Sequence, residues 1–268
     1  MIWQLCYYFC MKELFEAGLA FKANTWPLDS KKPTLFFIHA SGCSSILWDN
    51  PLKDLGDRIN AIALDLPGHG RSPGEGYQTI PGYTPVVMDF IIRLNPPRPV
   101  PAGLSLGGAI TLQLLIDHPD SFPAGILIST GARMKAMPAL LEAVERDFAT
   151  SVKLSKQVSL SPKTDPDSLQ PSLDDILNCP PEVALGDFRA CDQFDVRSRL
   201  SEIQARVLVV TGEDDVFTPP KFGEYLVNNI RKAQRVHIMN AGHLLPVEKP
   251  KELNRAILQF LEGGYDER

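Results

Sequence analysis

The segment from Gly103 to Gly108 (GLSLGG) places one serine between glycines that lie two residues before and two residues after it. This Gly-x-Ser-x-Gly spacing suits a sharp strand-to-helix turn, because a Cβ at either glycine would crowd such a turn. A serine held there projects its hydroxyl out of the fold, where it can reach a substrate carbonyl. The alternative is a glycine-rich loop that happens to contain Ser105, and the rest of the chain has to decide between the two.

Side chains that can activate a serine follow two later apolar runs. A serine hydroxyl is a weak nucleophile at neutral pH and needs a base, together with an acid that orients the base. The acidic residues Glu213 to Asp215 follow the run 206–211 after one glycine, and His243 comes after the run 235–239. The order serine, acid, histidine is the one that a nucleophilic turn of this kind requires. This coincidence is more specific than the serine motif alone and favours nucleophilic catalysis.

Short apolar runs predict strands that are buried on both faces of a sheet. Helical patterns lie between them, with apolar residues at helical spacing. The alternation predicts an α/β fold in which a mostly parallel central sheet carries helices on both faces. The predicted strands cover 34–38, 59–66, 125–130, 206–211 and 235–239, and the predicted helices 105–118, 219–230 and 251–261.

The segment 132–198 contains no strand pattern. One long helical stretch, 137–160, precedes a part that is rich in proline, serine and aspartate, and shorter helical pieces follow it. So long a connection exceeds a simple crossover between strands. We therefore expect 132–198 to be an inserted helical lid on a core formed by 11–131 and 199–268.

The first residues of the chain are apolar, but the run ends at Lys12. It is too short to span a bilayer, and a signal peptide stays open as an alternative although the usual basic region and cleavage site are absent. Met11 can be the natural start, so we interpret residues 1–10 as an N-terminal extension.

Further along, Pro99 and Pro101 lie where a strand should lead into the serine turn. Because proline has no N–H for a strand ladder, we expect that strand to be short or irregular.

Composition excludes several classes of function. The net charge is −5 and no basic run is present, so nucleic acid is not an expected partner. The five cysteines are scattered and none has the CxxC spacing of a metal or redox site, which favours a reducing, cytoplasmic location. No phosphate-binding loop, dinucleotide motif or metal-ligand spacing is present, and we expect a small molecule as the substrate.

Six motifs in order resemble those of the α/β-hydrolase fold superfamily, of the lidded serine esterase, lactonase and C–C hydrolase type. The resemblance extends over nearly all of residues 14–262 and implies that superfamily's fold. For His39 and His69, which lie in two of the motifs, the resemblance implies structural hydrogen bonding rather than catalysis. The motifs are HASG at 39–42, DLPGHGRS at 65–72, GLSLGG at 103–108, GEDD at 212–215, AGH at 241–243 and EKP at 248–250.

The resemblance also implies roles for individual residues. Ser105 is the expected nucleophile, His243 the expected base and Asp215 the expected acid, with Asp214 as the alternative acid. Backbone N–H groups would form the oxyanion hole. The expected donors are Leu106, directly after the nucleophile, and Ser41 in the loop after His39.

These roles imply hydrolysis of a carboxylic ester, thioester or lactone of a small to medium substrate through an acyl-enzyme, with no metal or organic cofactor. Two alternatives stay open. One uses the same residues for C–C bond hydrolysis, acyl transfer or perhydrolysis, and the other is a ligand-sensing protein on a hydrolase shell. The side chains that we regard as candidates for lining the substrate pocket are Phe148, Leu154, Leu177, Phe188 and Phe194.

Overall fold

The computed structural model describes residues 11–135 and 138–263, and a single eight-stranded sheet lies at the centre of these ranges. Its strands are β1 (Lys12–Glu16), β2 (Leu19–Ala23), β3 (Thr34–Ile38), β4 (Asn60–Leu64), β5 (Pro99–Leu104), β6 (Ala124–Ile128), β7 (Arg206–Gly212) and β8 (Ala233–Ile238). Their spatial order is β1-β2-β4-β3-β5-β6-β7-β8. The pairs β1–β2 and β2–β4 are antiparallel and the others are parallel. The predicted mostly parallel sheet is confirmed, whereas residues 1–10, the predicted extension, lie outside the described ranges.

Helices cover both faces of this sheet, as predicted. On β3, Phe36 and Ile38 belong to the apolar cluster that packs under α2 (Ile80–Leu94) and α3 (Leu106–Asp117). Leu35 and Phe37 belong to the cluster under α1 (Asp49–Leu55) and α10 (Pro250–Glu262). Successive side chains of a strand point to opposite faces, so a strand that is covered on both sides must be apolar throughout. No helix in the described ranges has the length and apolar character needed to cross a membrane. The helices are α1 (Asp49–Leu55), α2 (Ile80–Leu94), α3 (Leu106–Asp117), α4 (Pro138–Arg146), α5 (Phe148–Ser159), α6 (Gln170–Asn178), α7 (Pro181–Gln193), α8 (Pro220–Asn229), α9 (Leu245–Glu248) and α10 (Pro250–Glu262).

Strand β5 accommodates two prolines by pairing unequally with its neighbours. It is six residues long and pairs with β3 from Pro99 to Gly103, but with β6 only from Ala102 onward. The Thr34 N–H donates to the Arg98 carbonyl on the β3 side, and the Ser105 N–H donates to β6. Because alternate residues face alternate neighbours, Pro99 and Pro101 face β6, where the ladder has not yet begun. The expected irregularity is therefore confined to the side of β5 that faces β6, and the strand itself is not short.

Four helices, α4 to α7, lie between β6 and β7. The two ends of this helical segment lie side by side, because the Met134 N–H donates to the Phe194 carbonyl and the Val196 N–H donates to the Ala132 carbonyl. The expected single helical stretch at 137–160 is divided into α4 and α5. Asp147 causes the division, because its side chain accepts the Thr150 N–H as the N-cap of α5.

The carboxyl ends of parallel strands meet at one edge of the sheet. The loops after β3, β5, β7 and β8 therefore come together, and they contain the residues that the sequence singles out.

Candidate active site

Ser105 occupies the turn between β5 and α3 in a strained backbone conformation. Its φ is 54° and its ψ is −111°, a region that costs a residue with a side chain about 1–3 kcal/mol. A Cβ on Gly103 would lie 1.9 Å from the Gly107 carbonyl oxygen, and a Cβ on Gly107 would lie 2.2 Å from the Ile38 carbonyl oxygen. Both contacts are with backbone that cannot move aside. The predicted need for glycine on each side of Ser105 is therefore confirmed.

His243 and Asp215 are in direct contact. The Nδ1 atom of His243 lies 3.0 Å from Oδ2 and 3.1 Å from Oδ1 of Asp215. Asp215 also accepts the backbone N–H groups of Phe217 and Thr218 at 3.0 and 2.9 Å and the Thr218 hydroxyl at 2.6 Å. Burial alone would raise the pKa of this carboxyl. The charge interaction with His243 and the hydrogen bonds outweigh burial and hold the pKa of Asp215 below its ordinary value.

Asp214 points elsewhere. Its Oδ2 atom accepts a hydrogen bond of 2.5 Å from the Ser161 hydroxyl, and its N–H donates to the Ala241 carbonyl at 2.8 Å. Of the two aspartates that the sequence offers, Asp215 is the one that contacts the histidine.

Glu248 holds the loop that contains His243, a contact that the sequence analysis did not predict. Its carboxylate accepts the N–H groups of Gly242 at 2.9 Å and Leu244 at 3.0 Å, on either side of the histidine. It also accepts the Ser161 N–H at 2.8 Å and the Thr164 hydroxyl at 2.7 Å. The sequence shows Glu248 only as part of a helix start, because nothing in its local pattern indicates that it reaches back across the loop.

One cavity of about 340 Å³ is bordered by both Ser105 and His243. It lies between the strand-end loops and the helices α4 to α7, and most of its walls are apolar. Of the side chains suggested as pocket lining, Phe148 and Phe188 border this cavity. Phe194 packs in the core instead, Leu177 is exposed, and the side chain of Leu154 lies outside the described set.

The two expected oxyanion donors belong to elements that touch. Leu106 is the first residue of α3, so its N–H has no acceptor within the helix and lies at the positive end of the helix dipole. A Cβ on Gly107 would meet the carbonyl oxygens of both Ile38 and His39, so the first turn of α3 packs against the start of the loop that follows β3. Ala40 and Ser41 of that loop border the cavity together with Ser105.

His39 is fully buried and bonds to the backbone through both ring nitrogens. Its Nε2 atom accepts the Leu66 N–H at 3.0 Å, and its Nδ1 atom lies 2.8 Å from the Ala40 carbonyl oxygen. This pattern requires a neutral ring with the proton on Nδ1. Burial, assisted by the charge on His69, lowers the pKa of His39 to about 3.

We expect this buried neutral histidine to make the protein sensitive to acid. An unfolded histidine has a pKa of about 6.5, so between this value and about 3 the unfolded chain binds a proton that the folded protein does not. His39 should therefore lower the free energy of unfolding by about 1.4 kcal/mol for each pH unit below 6.5. Urea denaturation at pH 6.5 and 5.0 measures this slope, and His39→Gln should remove that part of it. An equal slope in the variant would assign the acid sensitivity to other groups.

Within the described ranges, no group of three or more His, Cys, Asp and Glu side chains is arranged to hold a metal ion.

Comparison with known proteins gives consistent results. The model of the "Alpha/beta hydrolase family" matches residues 35–256. Among curated proteins, the pimeloyl-[acyl-carrier protein] methyl ester esterase of Neisseria meningitidis is 29% identical over 247 residues, which cover 87% of this chain and 78% of that protein. The 3-oxoadipate enol-lactonase 2 of Acinetobacter baylyi is 25% identical over 237 residues, 84% of this chain and 87% of that protein. Among solved structures, an esterase from Thermogutta terrifontis superposes with a TM-score of 0.81 at 24% identity and covers 91% of this chain and 93% of its own.

Proposed function

Because the chain belongs to the alpha/beta hydrolase family, we propose that it is a serine hydrolase that cleaves a carboxylic ester, thioester or lactone through an acyl-enzyme. The observation that carries this proposal is the contact between Asp215 and His243 at the edge of the cavity that Ser105 also borders. A strained serine and a histidine that border one cavity, with a buried acid in contact with the histidine, form the arrangement that nucleophilic hydrolysis needs.

In the proposed reaction, the Ser105 hydroxyl attacks the substrate carbonyl while His243 takes its proton through Nε2. Asp215 keeps the other proton of the ring on Nδ1 and stabilises the imidazolium that forms. The N–H groups of Leu106 and Ser41 stabilise the negative oxygen of the tetrahedral intermediate. His243 then returns the proton to the leaving alcohol or thiol. A water molecule, activated by the same histidine, hydrolyses the acyl-enzyme and releases Ser105.

We also propose that residues 132–198 act as a lid on a core formed by 11–131 and 199–268. The position of α4 to α7 above the strand-end loops supports this division, because the cavity has walls from both parts.

The three described cysteines, Cys43, Cys179 and Cys191, are free thiols, which supports a reducing, cytoplasmic location.

The substrate that we propose has an apolar acyl group of small to medium size. A volume of about 340 Å³ is near the lower end of the range for small-molecule pockets, about 300–1,000 Å³. One relative is named for a methyl ester and another for an enol lactone, which supports an ester or lactone as the bond cleaved. Apolar walls from both sides of the cavity favour a hydrocarbon chain. They include Val144, Phe148, Val152, Leu173, Phe188 and Phe217.

The test combines turnover with covalent labelling. The purified full chain is assayed with p-nitrophenyl esters of increasing acyl length, with simple lactones and acyl thioesters, and with a vinylogous diketone as a probe of C–C hydrolysis. We expect multiple turnovers on esters with a maximum at short to medium chains, and loss of activity after labelling by a fluorophosphonate. Labelling followed by at most one turnover would indicate a ligand sensor, and a preference for the diketone would replace ester hydrolysis by C–C hydrolysis.

A further inference from the structure

The carboxylate of Asp187, on α7, is completely buried and has three hydrogen-bond donors. Its Oδ2 atom accepts from the Gly42 N–H at 2.8 Å and from His69 Nε2 at 2.9 Å, and its Oδ1 atom accepts from the Tyr83 hydroxyl at 2.6 Å. Burying a carboxylate is costly unless such donors replace its hydration. The four residues come from separate parts of the chain, so the contact joins α7 to the core.

One of these donors belongs to the loop that contributes Ser41. The N–H of Gly42 is the next one along the chain after the N–H of Ser41, and the turn there is tight, with a φ of 67° at Gly42. Within Ser41–Cys43, the other contacts are the local hydrogen bond from the Cys43 N–H to the Ala40 carbonyl and a side-chain contact of 3.8 Å between the Ser41 hydroxyl and the Cys191 thiol. The hydrogen bond from the Gly42 N–H to Asp187 is therefore the long-range contact made by the backbone of Ser41–Cys43, and it fixes the Ser41–Gly42 peptide plane.

We propose that Asp187 is a positioning residue for the oxyanion hole: by holding the Gly42 N–H, it keeps the Ser41 backbone beside Ser105 at the cavity. This inference rests on the proposed function, because it requires Ser41 to be an oxyanion donor. Small displacements of such donors have large effects, and a shift of about 1 Å can lower a rate about a hundredfold.

The surroundings keep Asp187 an acceptor in all three contacts. Burial would lower the pKa of His69, but the adjacent Asp187 outweighs burial and raises it well above its ordinary value. The charged ring then donates through both nitrogens, to Asp187 and to the Pro67 carbonyl 3.0 Å from Nδ1. Burial, followed by the charge of Asp187, raises the pKa of Tyr83, which keeps its hydroxyl a donor.

An amide cannot replace this carboxylate, for a specific reason. Without the negative charge, His69 becomes neutral and keeps its Nδ1 proton on the Pro67 carbonyl, so Nε2 needs a donor. The Gly42 N–H needs an acceptor at the same place, since both groups contact Oδ2. One amide group presents either an oxygen or an NH₂ there, and so one of the two partners is left unsatisfied.

A second carboxylate provides a matched control. Asp175, on α6, accepts a hydrogen bond of 2.7 Å from the Ser44 hydroxyl in the same loop. An asparagine oxygen in its place can still accept from that hydroxyl. Asp187→Asn and Asp175→Asn therefore make the same chemical change between the same two parts of the molecule, but only the first affects an oxygen that a backbone N–H shares with a histidine.

The experiment compares both variants with the wild-type chain on the best ester from the panel above. We expect Asp187→Asn to lower kcat about 10- to 100-fold, with KM within about threefold. Its inhibition constant for an alkyl boronic acid should rise by the same factor as kcat falls, because the boronate adduct places a negative oxygen in the oxyanion hole. Asp175→Asn should change each value by less than about threefold.

The proposal is overturned if Asp187→Asn keeps kcat within threefold, if its loss appears only in KM, or if Asp175→Asn loses as much. Should Asp187→Asn lack a cooperative thermal transition, Tyr83→Phe decides, since it removes one of the three donors that fix the carboxylate and so weakens the hold of the carboxylate on the Gly42 N–H. Its kcat should fall about 3- to 10-fold, with boronate binding weakened in parallel, and unchanged values would refute the proposal.

A wild-type chain that neither turns over nor labels overturns the proposed function, and this inference with it. If the wild-type chain turns over normally and the variants have the same kcat and boronate affinity, only this inference is overturned.

Discussion

Replacing Ser105 with alanine is expected to lower kcat/KM for ester hydrolysis by about ten-thousand-fold or more. Alanine leaves the cavity, the histidine and the oxyanion donors in place, but it removes the atom that attacks the carbonyl. The residual rate should come from water acting in the same cavity. Steady-state kinetics with a p-nitrophenyl ester measure the loss, and fluorophosphonate labelling should disappear with it.

The matched control is Ser129→Ala. Ser129 follows the neighbouring strand β6, is buried and also has a positive φ, of 42°. Its Oγ atom is without a hydrogen-bond partner in the described part of the chain, and it does not border the cavity. We therefore expect activity within about twofold of wild type and no loss of stability. Retained turnover in Ser105→Ala, or an equal loss in Ser129→Ala, would remove Ser105 from the mechanism.

Exchanging Asp215 for asparagine should lower kcat by about a thousand- to ten-thousand-fold. Asp215 accepts the Nδ1 proton of His243, which leaves Nε2 free to take a proton from the serine. An asparagine amide donates to Nδ1 instead, so the proton of the neutral ring moves to Nε2 and the base is lost. The fold should persist, because asparagine is close in size and Thr218 remains available as a partner.

Asp214→Asn makes the same change one residue earlier. Its partner is the Ser161 hydroxyl, to which an amide oxygen can still bind, and we expect kcat within about threefold of wild type. Comparing the two variants in one kinetic assay separates the acid from its neighbour. A larger loss in Asp214→Asn would transfer the role of the acid to Asp214.

The central part of the fold is predictable from the sequence because its strands are buried on both faces. Thr34–Ile38 is apolar along most of its length, and the predicted bounds of this strand agree with the structure. The edge strand Lys12–Glu16 is mostly exposed and carries charged residues, so it has no such signal and was not predicted. The glycines beside Ser105 were predictable because the turn itself excludes a Cβ.

The contacts that hold the site were not predictable in the same way. Asp187 and Gly42 are separated by 145 residues, and neither has a local pattern that points to the other. Glu248 lies in a recognisable helix start, but its contacts with Gly242 and Leu244 depend on how the loop folds back over it. Pro99 and Pro101 show the same limit, because their effect depends on which neighbouring strand they face.

The contacts of Glu248 have a consequence for engineering by domain exchange. The same carboxylate oxygen binds the Gly242 N–H beside the histidine and the Ser161 N–H and Thr164 hydroxyl of the segment between α5 and α6. The His243 N–H in turn donates to the Ser159 carbonyl at 2.7 Å. A chimera that takes its helical segment from a relative would thus replace three groups that shape the histidine loop. Grafts intended to change substrate range should retain residues 159–164 of the recipient, since the boundary between interchangeable and fixed parts runs inside that segment.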